Sequence, residues 1–246
     1  MKKLTKLSLI ALTLATAAFA STPLSKTDID KLKKEYPQLI GKKGITVKKG
    51  IDQGKFKQIE LEIQTRRGPQ TFEVFVVDGV DNLVFAGSAF DKAGNKYSLP
   101  VNEKAIKNGV AFEMGTGPEV LYLVTDPECP YCQRLEKQIK PEALKKYTIK
   151  VIPMPLSFHK EAKPMYTYIL AGKDNKEKSE RMHKTMTGDK SYKDFKPTEE
   201  QKKAANEIFK KGYAGAKELK AGGTPSLYNS KFQKVSQGIL IENNNK

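Results

Sequence analysis

Cys129 and Cys132 are the only cysteines in 246 residues, and just Pro130 and Tyr131 separate them. Two thiols at this spacing can do together what neither does alone. One attacks a disulfide as the thiolate and is left in a mixed disulfide, and the other then displaces the captured sulfur. Other uses of the pair compete with this one. A structural disulfide would close a loop too small to remove much chain entropy. Zinc takes four ligands, and the two histidines, His159 and His183, lack the short spacing of a ligand pair. Both histidines are read as structural side chains, packed or exposed. Two inert buried thiols would leave the proline between them unexplained. A redox dithiol is the favoured reading, with Pro130 and Tyr131 as the pair that tunes it and with no metal or cofactor.

The flanking residues say how the dithiol is held. Residues 120–124 are continuously apolar and stop at Thr125-Asp126-Pro127, while Leu135 and Ile139 follow at helical i,i+4 spacing. This predicts a buried strand, a turn, and a helix opening at the cysteines. Cys129 then falls at the helix N-terminus, where unpaired N–H groups and the helix dipole favour a thiolate. Pro130 suits the first turn, which has no use for its missing N–H. Pro141 is expected to kink the helix, and residues 147–153 read as the next strand. Helical stretches are expected over 161–171, 175–186 and 198–213, the last continuing to Leu219 until Gly222-Gly223 stops it. Thr224-Pro225, a short strand and a hairpin strand over 231–235 complete an α/β domain spanning 119–246.

Ahead of it the chain divides into shorter pieces. Lys2, Lys3 and Lys6 precede an apolar stretch over 7–17, and Ala18-Phe19-Ala20 has the small-x-small pattern of a cleavage site. Residues 1–20 therefore read as a secretory signal, and the mature protein is expected to be soluble and periplasmic. Residues 21–90 read as a separate β-rich domain. Thr27 or Asp28 is the candidate cap of a short helix carrying Ile29 and Leu32. Ile59, Leu61 and Ile63 alternate with polar residues, and Phe72, Val74 and Val76 share a strand face opposite Phe75 and Val77. So small a unit buries a modest core alone, which points to pairing with a second copy. Residues 91–118, turn-rich and then helical over 101–114 with a break near Asn108-Gly109, read as an interdomain linker. The net charge of +16 is spread along the chain and mixed with Glu, with no basic–aromatic stretch, so no nucleic-acid partner is expected. The fold class is α+β.

TDPECPYC, a proline-interrupted helix behind it, a helical insert, and Gly223-Thr224-Pro225 before a short strand together resemble the thioredoxin fold. With a secretory signal and a small β-rich domain in front, the mature chain resembles the DsbC/DsbG family of periplasmic thiol:disulfide interchange proteins. That resemblance implies a V-shaped homodimer joined through the N-terminal domains, with a linker helix to each catalytic domain. It implies Cys129 as the exposed nucleophile and Cys132 as the resolving thiol. It also implies a cis Pro225 against the dithiol, with Thr224 beside it, gripping extended substrate. The implied partners are misfolded or misoxidised exported proteins and a membrane reductant resembling DsbD. The implied activity is isomerisation or reduction of wrong disulfides. The alternatives are a DsbA-like oxidase and a dimeric chaperone with secondary redox activity. Two features depart from the family pattern. Pro130-Tyr131, a pair familiar from glutaredoxins, replaces the frequent Gly-Tyr, and only eight residues follow Gly238 for the final helix of the fold.

Overall fold

The computed structural model describes residues 21–65, 68–80, 83–90, 92, 97 and 99–241. The signal-peptide reading of 1–20 lies outside these residues, as do Arg67 and much of 91–98. The chain separates into two compact units, Met1–Pro100 and Val101–Lys246.

In the first unit, β1 (Thr22–Pro23), β2 (Ile45–Asp52), β3 (Phe56–Thr65), β4 (Gly68–Val77) and β5 (Val84–Ala86) form an antiparallel sheet in chain order. Helix α1 (Lys26–Glu35) is capped by Ser25 rather than by Thr27 or Asp28. Asp28 sits three residues on and returns a bond to the Ser25 N–H, a capping box that satisfies two orphan donors. Leu32 and Ile40 pack over Ile59, Leu61, Val74 and Val76, one face of the alternating strands. The opposite face is not left to solvent. Phe75 is fully buried, stacked on Phe85 at 5.2 Å and edge-on to Phe56, which in turn meets Tyr97.

The second unit is built on a five-stranded sheet in the order β10-β9-β7-β8-β6. Its strands are β6 (Phe112–Met114), β7 (Glu119–Thr125), β8 (Tyr147–Pro153), β9 (Ser226–Asn229) and β10 (Lys234–Val235). β7 and β8 run parallel, and the other pairs are antiparallel. The apolar run in β7 follows from burial on both faces. Leu121 and Leu123 join the core under α3 (Pro130–Gln138), α4 (Pro141–Lys146), α5 (Ala162–Leu170) and α6 (Asn175–Thr187). Tyr122 and Val124 face the opposite core, with Ile106 of α2 (Glu103–Asn108) and Ala216 of α7 (Glu199–Glu218). Helix α7 serves both cores, with Ala205 and Phe209 in the first and Ala216 in the second. Gly212 lets it pass the end of β8, since a Cβ there would stand 2.2 Å from the Pro153 carbonyl oxygen.

Three expectations change. Residues 101–118 are not simply a linker, because α2 packs on α7 and β6 pairs with β8 inside this unit. Phe112, expected on a helix, is 2% exposed on the edge strand, where Phe112 and Met114 alternate inward. Pro141 ends α3 instead of kinking it. Lys140 takes the extended conformation that a following proline enforces, and α4 starts afresh at Pro141. The final helix is the short α8 (Gly238–Ile241), whose buried Leu240 packs in the core that holds Leu135 and Ala143 and accepts a bond from the Lys140 N–H.

Candidate dithiol site

β7 delivers the chain to the cysteines. Residues 126–129 turn, the Cys129 N–H donates to the Asp126 carbonyl at 3.1 Å, and Cys129 becomes the N-cap of α3 with Pro130 at its first position. Both thiols are free. Cys132 is 1% exposed, and burial pushes its thiol up to about 12. The hydroxyls of Thr125 and Thr224 and the backbone of Asp126 pull the other way without offsetting that burial, and the neighbouring Cys129 adds to the rise. The resemblance implied an exposed Cys129, whereas the residue is 4% exposed. Its Sγ lies 3.4 Å from the Thr224 carbonyl oxygen, so the loop before β9 covers it.

The fold thus brings Cys129, Cys132 and Thr224 together from sequence positions about 95 residues apart. The Thr224–Pro225 peptide is cis. The Pro225 carbonyl accepts a bond from Gln237 Nε2 at 2.8 Å, which ties the loop to the stretch after β10. Thr224 Oγ1 is enclosed, and its hydroxyl is among the groups that pull the Cys132 thiol down. Of the intervening pair, Pro130 is built into the helix start. Tyr131 stands out at 67% exposure, with the Arg134 guanidinium 5.7 Å from its ring centre.

Sequence reasoning missed the two acids ahead of the cysteines. Asp126 is fully buried. Its Oδ1 accepts the Glu128 N–H at 2.9 Å, and its Oδ2 accepts the Leu156 N–H at 2.7 Å and lies 2.8 Å from His159 Nδ1. Glu128 Oε2 accepts the N–H groups of Glu161 and Ala162 at 2.7 and 2.8 Å. It caps α5, which has no side-chain cap of its own. The cysteine turn is therefore clamped to residues 156–162 by two carboxylates. That clamp holds Phe158, 72% exposed and edge-on to His159, in the loop bound to the cysteine turn. The available signal was the acids on either side of Pro127, because their partners in residues 156–162 lie at least 30 residues away. His159 and His183 each bond a carboxylate. Among the described residues no group of three or more His, Cys, Asp or Glu could hold a metal ion.

Residues 113–231 match the family model described as a thioredoxin-like domain. Among solved structures, DsbG of Helicobacter pylori is 16% identical, with a TM-score of 0.41, covering 82% of this chain and 98% of its own. ScsC of Proteus mirabilis in a compact conformation is 20% identical, with a TM-score of 0.43, covering 54% of this chain and 69% of its own. The Wolbachia pipientis thiol-disulfide exchange protein α-DsbA2 is 14% identical, with a TM-score of 0.43 and coverages of 56% and 87%. No curated protein sequence matches the chain. Residues 113–231 thus match a thioredoxin-like domain, and the Cys129–Cys132 pair at the start of α3 lies within the matched residues.

Proposed function

We propose that this protein isomerises or reduces incorrect disulfides in exported proteins, with Cys129 attacking and Cys132 resolving. The observation that carries the division of labour is the asymmetry of the two sulfurs. Cys129 stands at the N-cap of α3 with its sulfur against the Thr224 carbonyl, whereas burial holds the Cys132 thiol at about 12. Substrate enters along Thr224 and Pro225, whose loop borders Cys129, and Pro130 and Tyr131 set the stability of the thiolate. A substrate thiol that displaces Cys129 completes isomerisation. Cys132 displacing the substrate completes reduction and leaves the enzyme oxidised, so a membrane reductant resembling DsbD must restore the dithiol. The basic leader of residues 1–20 supports export to the periplasm, where such substrates arise.

We further propose that residues 21–90 join two copies. Among the described residues β5 is an edge strand, paired only with β4, and Val80, Leu83, Phe85 and Phe90 around it are exposed. Two dithiols in one dimer would keep a misfolded chain near the second thiol after the first attack.

Substrate trapping tests the reading. Cys132→Ser should accumulate mixed disulfides with exported proteins and Cys129→Ser should not. Thiol trapping in intact cells should find the wild-type dithiol mainly reduced. Trapping by Cys129→Ser alone would reverse the roles, and a mainly oxidised dithiol would make the protein an oxidase.

A further inference from the structure

β9 and β10 pair antiparallel, with Lys234 opposite Tyr228 and Val235 opposite Leu227. Carried two residues further, that register sets Gln237 opposite Pro225. The backbone ladder cannot run so far. Pro225 has no N–H to give, and the chain turns away after Val235, with the Gly238 N–H on Ser236 Oγ and the Leu240 N–H on the Gln237 carbonyl. One bond is made there all the same. Gln237 Nε2 donates to the Pro225 carbonyl oxygen at 2.8 Å, so a side chain supplies the donor that the strand no longer offers.

That bond falls on the loop that borders the attacking sulfur. The Gly223 oxygen accepts the Ser226 hydroxyl at 2.7 Å, the Thr224 oxygen lies 3.4 Å from Cys129 Sγ, and the Pro225 oxygen takes Gln237. The first of these ties the loop only to itself. On the side before Thr224, Gly222 and Gly223 bring no side chain, and a Cβ at either would meet nothing within 4 Å. Glycine also leaves the backbone there free to turn. Gln237 therefore fastens the loop from outside. Its own position is set by α8 behind it, where Leu240 is buried with Leu135 of α3 and Ala143 of α4. The Leu240 carbonyl accepts the Lys140 N–H at 3.1 Å, between those two helices. The short last helix thus joins the far end of the cysteine helix to the loop beside the cysteines.

We propose that Gln237 is a positioning residue for substrate binding, its amide holding the loop of Thr224 and Pro225 in place beside Cys129 before an extended peptide arrives. This rests on Cys129 attacking and on substrate entering along that loop. A peptide lying along Thr224 and Pro225 binds best where the polar groups of the loop are already set, because ordering a loose loop on binding takes away from affinity. A disulfide too small to reach along the loop needs only the sulfur of Cys129. Gln237 therefore governs peptide affinity and not the exchange itself. In that exchange the Cys129 thiolate bonds to the substrate sulfur, and the other sulfur leaves with the bonding pair.

Two pyridyl disulfides separate these effects in the reduced full chain, because both release an absorbing pyridinethione when Cys129 attacks. One is dipyridyl disulfide, small and uncharged. The other is an unstructured cysteine peptide activated as its pyridyl disulfide and used in excess over the protein. Gln237→Met keeps the length of the side chain and removes the donor. It should raise the half-saturating peptide concentration about tenfold, with the limiting rate and the rate on dipyridyl disulfide within about twofold of wild type. Gln237→Lys keeps a donor and should bind peptide near the wild-type concentration, and it tests the contact even where Gln237→Met melts too early to assay. An unchanged half-saturating concentration in Gln237→Met overturns the proposal, as does equal slowing on both probes or a Lys variant as weak as the Met variant. A wild-type protein that does not saturate with the peptide takes substrate away from this loop, and the proposal with it. Reaction of Cys129→Ser with dipyridyl disulfide at the wild-type rate would instead refute attack by Cys129.

Discussion

At the scale of residues, the site is defined by unequal neighbours more than by unusual side chains. Both sulfurs lie in one core, Cys129 at the N-terminus of α3 and Cys132 a turn further in, where burial raises its thiol. The same carboxyl chemistry serves as a backbone clamp in Asp126 and Glu128 and stands buried in Glu136, one oxygen without a partner among the described residues. The Glu136 environment has a thermodynamic consequence whose sign can be worked out. Burial raises its carboxyl in the folded chain above the ordinary value of 4.5. The folded state therefore binds this proton more tightly than the unfolded state does. Its contribution to stability is fully present below 4.5 and is lost as pH rises through the raised folded value. Glu136→Gln cannot lose it. The melting-temperature difference between variant and wild type should shift in favour of the variant as pH rises from acid toward neutral. A difference that stays constant with pH would contradict the burial account of this group.

At the scale of elements, the part legible in the sequence was the part written in short-range patterns. The apolar run of β7, the proline after Cys129 and the capped start of α7 lie within a few residues of the features they determine. The packing of 101–118 could not be read that way. The break near Asn108-Gly109 was legible and α2 ends there, but only the facing α7 and β8 decide that Ile106 packs in a core helix and Phe112 in an edge strand. The Ser25 cap was missed for a smaller reason, since Asp28 satisfies the same pattern from inside the helix. The partners of Asp126, Glu128 and Glu136 are set by the fold and leave no local trace. The changed boundary has a measurable result. A chain starting at Val101 should fold and keep its dithiol reactive. One starting at Glu119 loses buried Ile106, Phe112 and Met114 and bares the edge of β8, so it should melt at a clearly lower temperature or aggregate. Equal melting temperatures for the two would show that α2 and β6 are not part of the cooperative unit.

At the scale of the whole molecule, two units of different character lie in one chain. The second has two cores on either side of its sheet, while the first covers one face with α1 and the other with a cluster of aromatic rings. The exposed Leu83 and Phe90, beside the β5 edge, suit a surface that a second copy covers. The protein should therefore sediment as a dimer, and Leu83→Glu combined with Phe90→Glu should give a monomer that still reduces simple disulfides. That monomer should refold scrambled multi-disulfide substrates poorly. A wild-type monomer, or a variant that remains dimeric, would contradict this surface. The most direct measurement on the central claim concerns the two sulfurs themselves. The reduced protein is pulsed with a limiting alkylating agent near neutral pH, quenched, and digested so that mass spectrometry reports each cysteine separately. With Cys129 at the start of α3 and Cys132 held at about 12, nearly all early label should sit on Cys129. Equal labelling of the two, or Cys132 labelled first, would contradict the assignment of attack to Cys129 and resolution to Cys132.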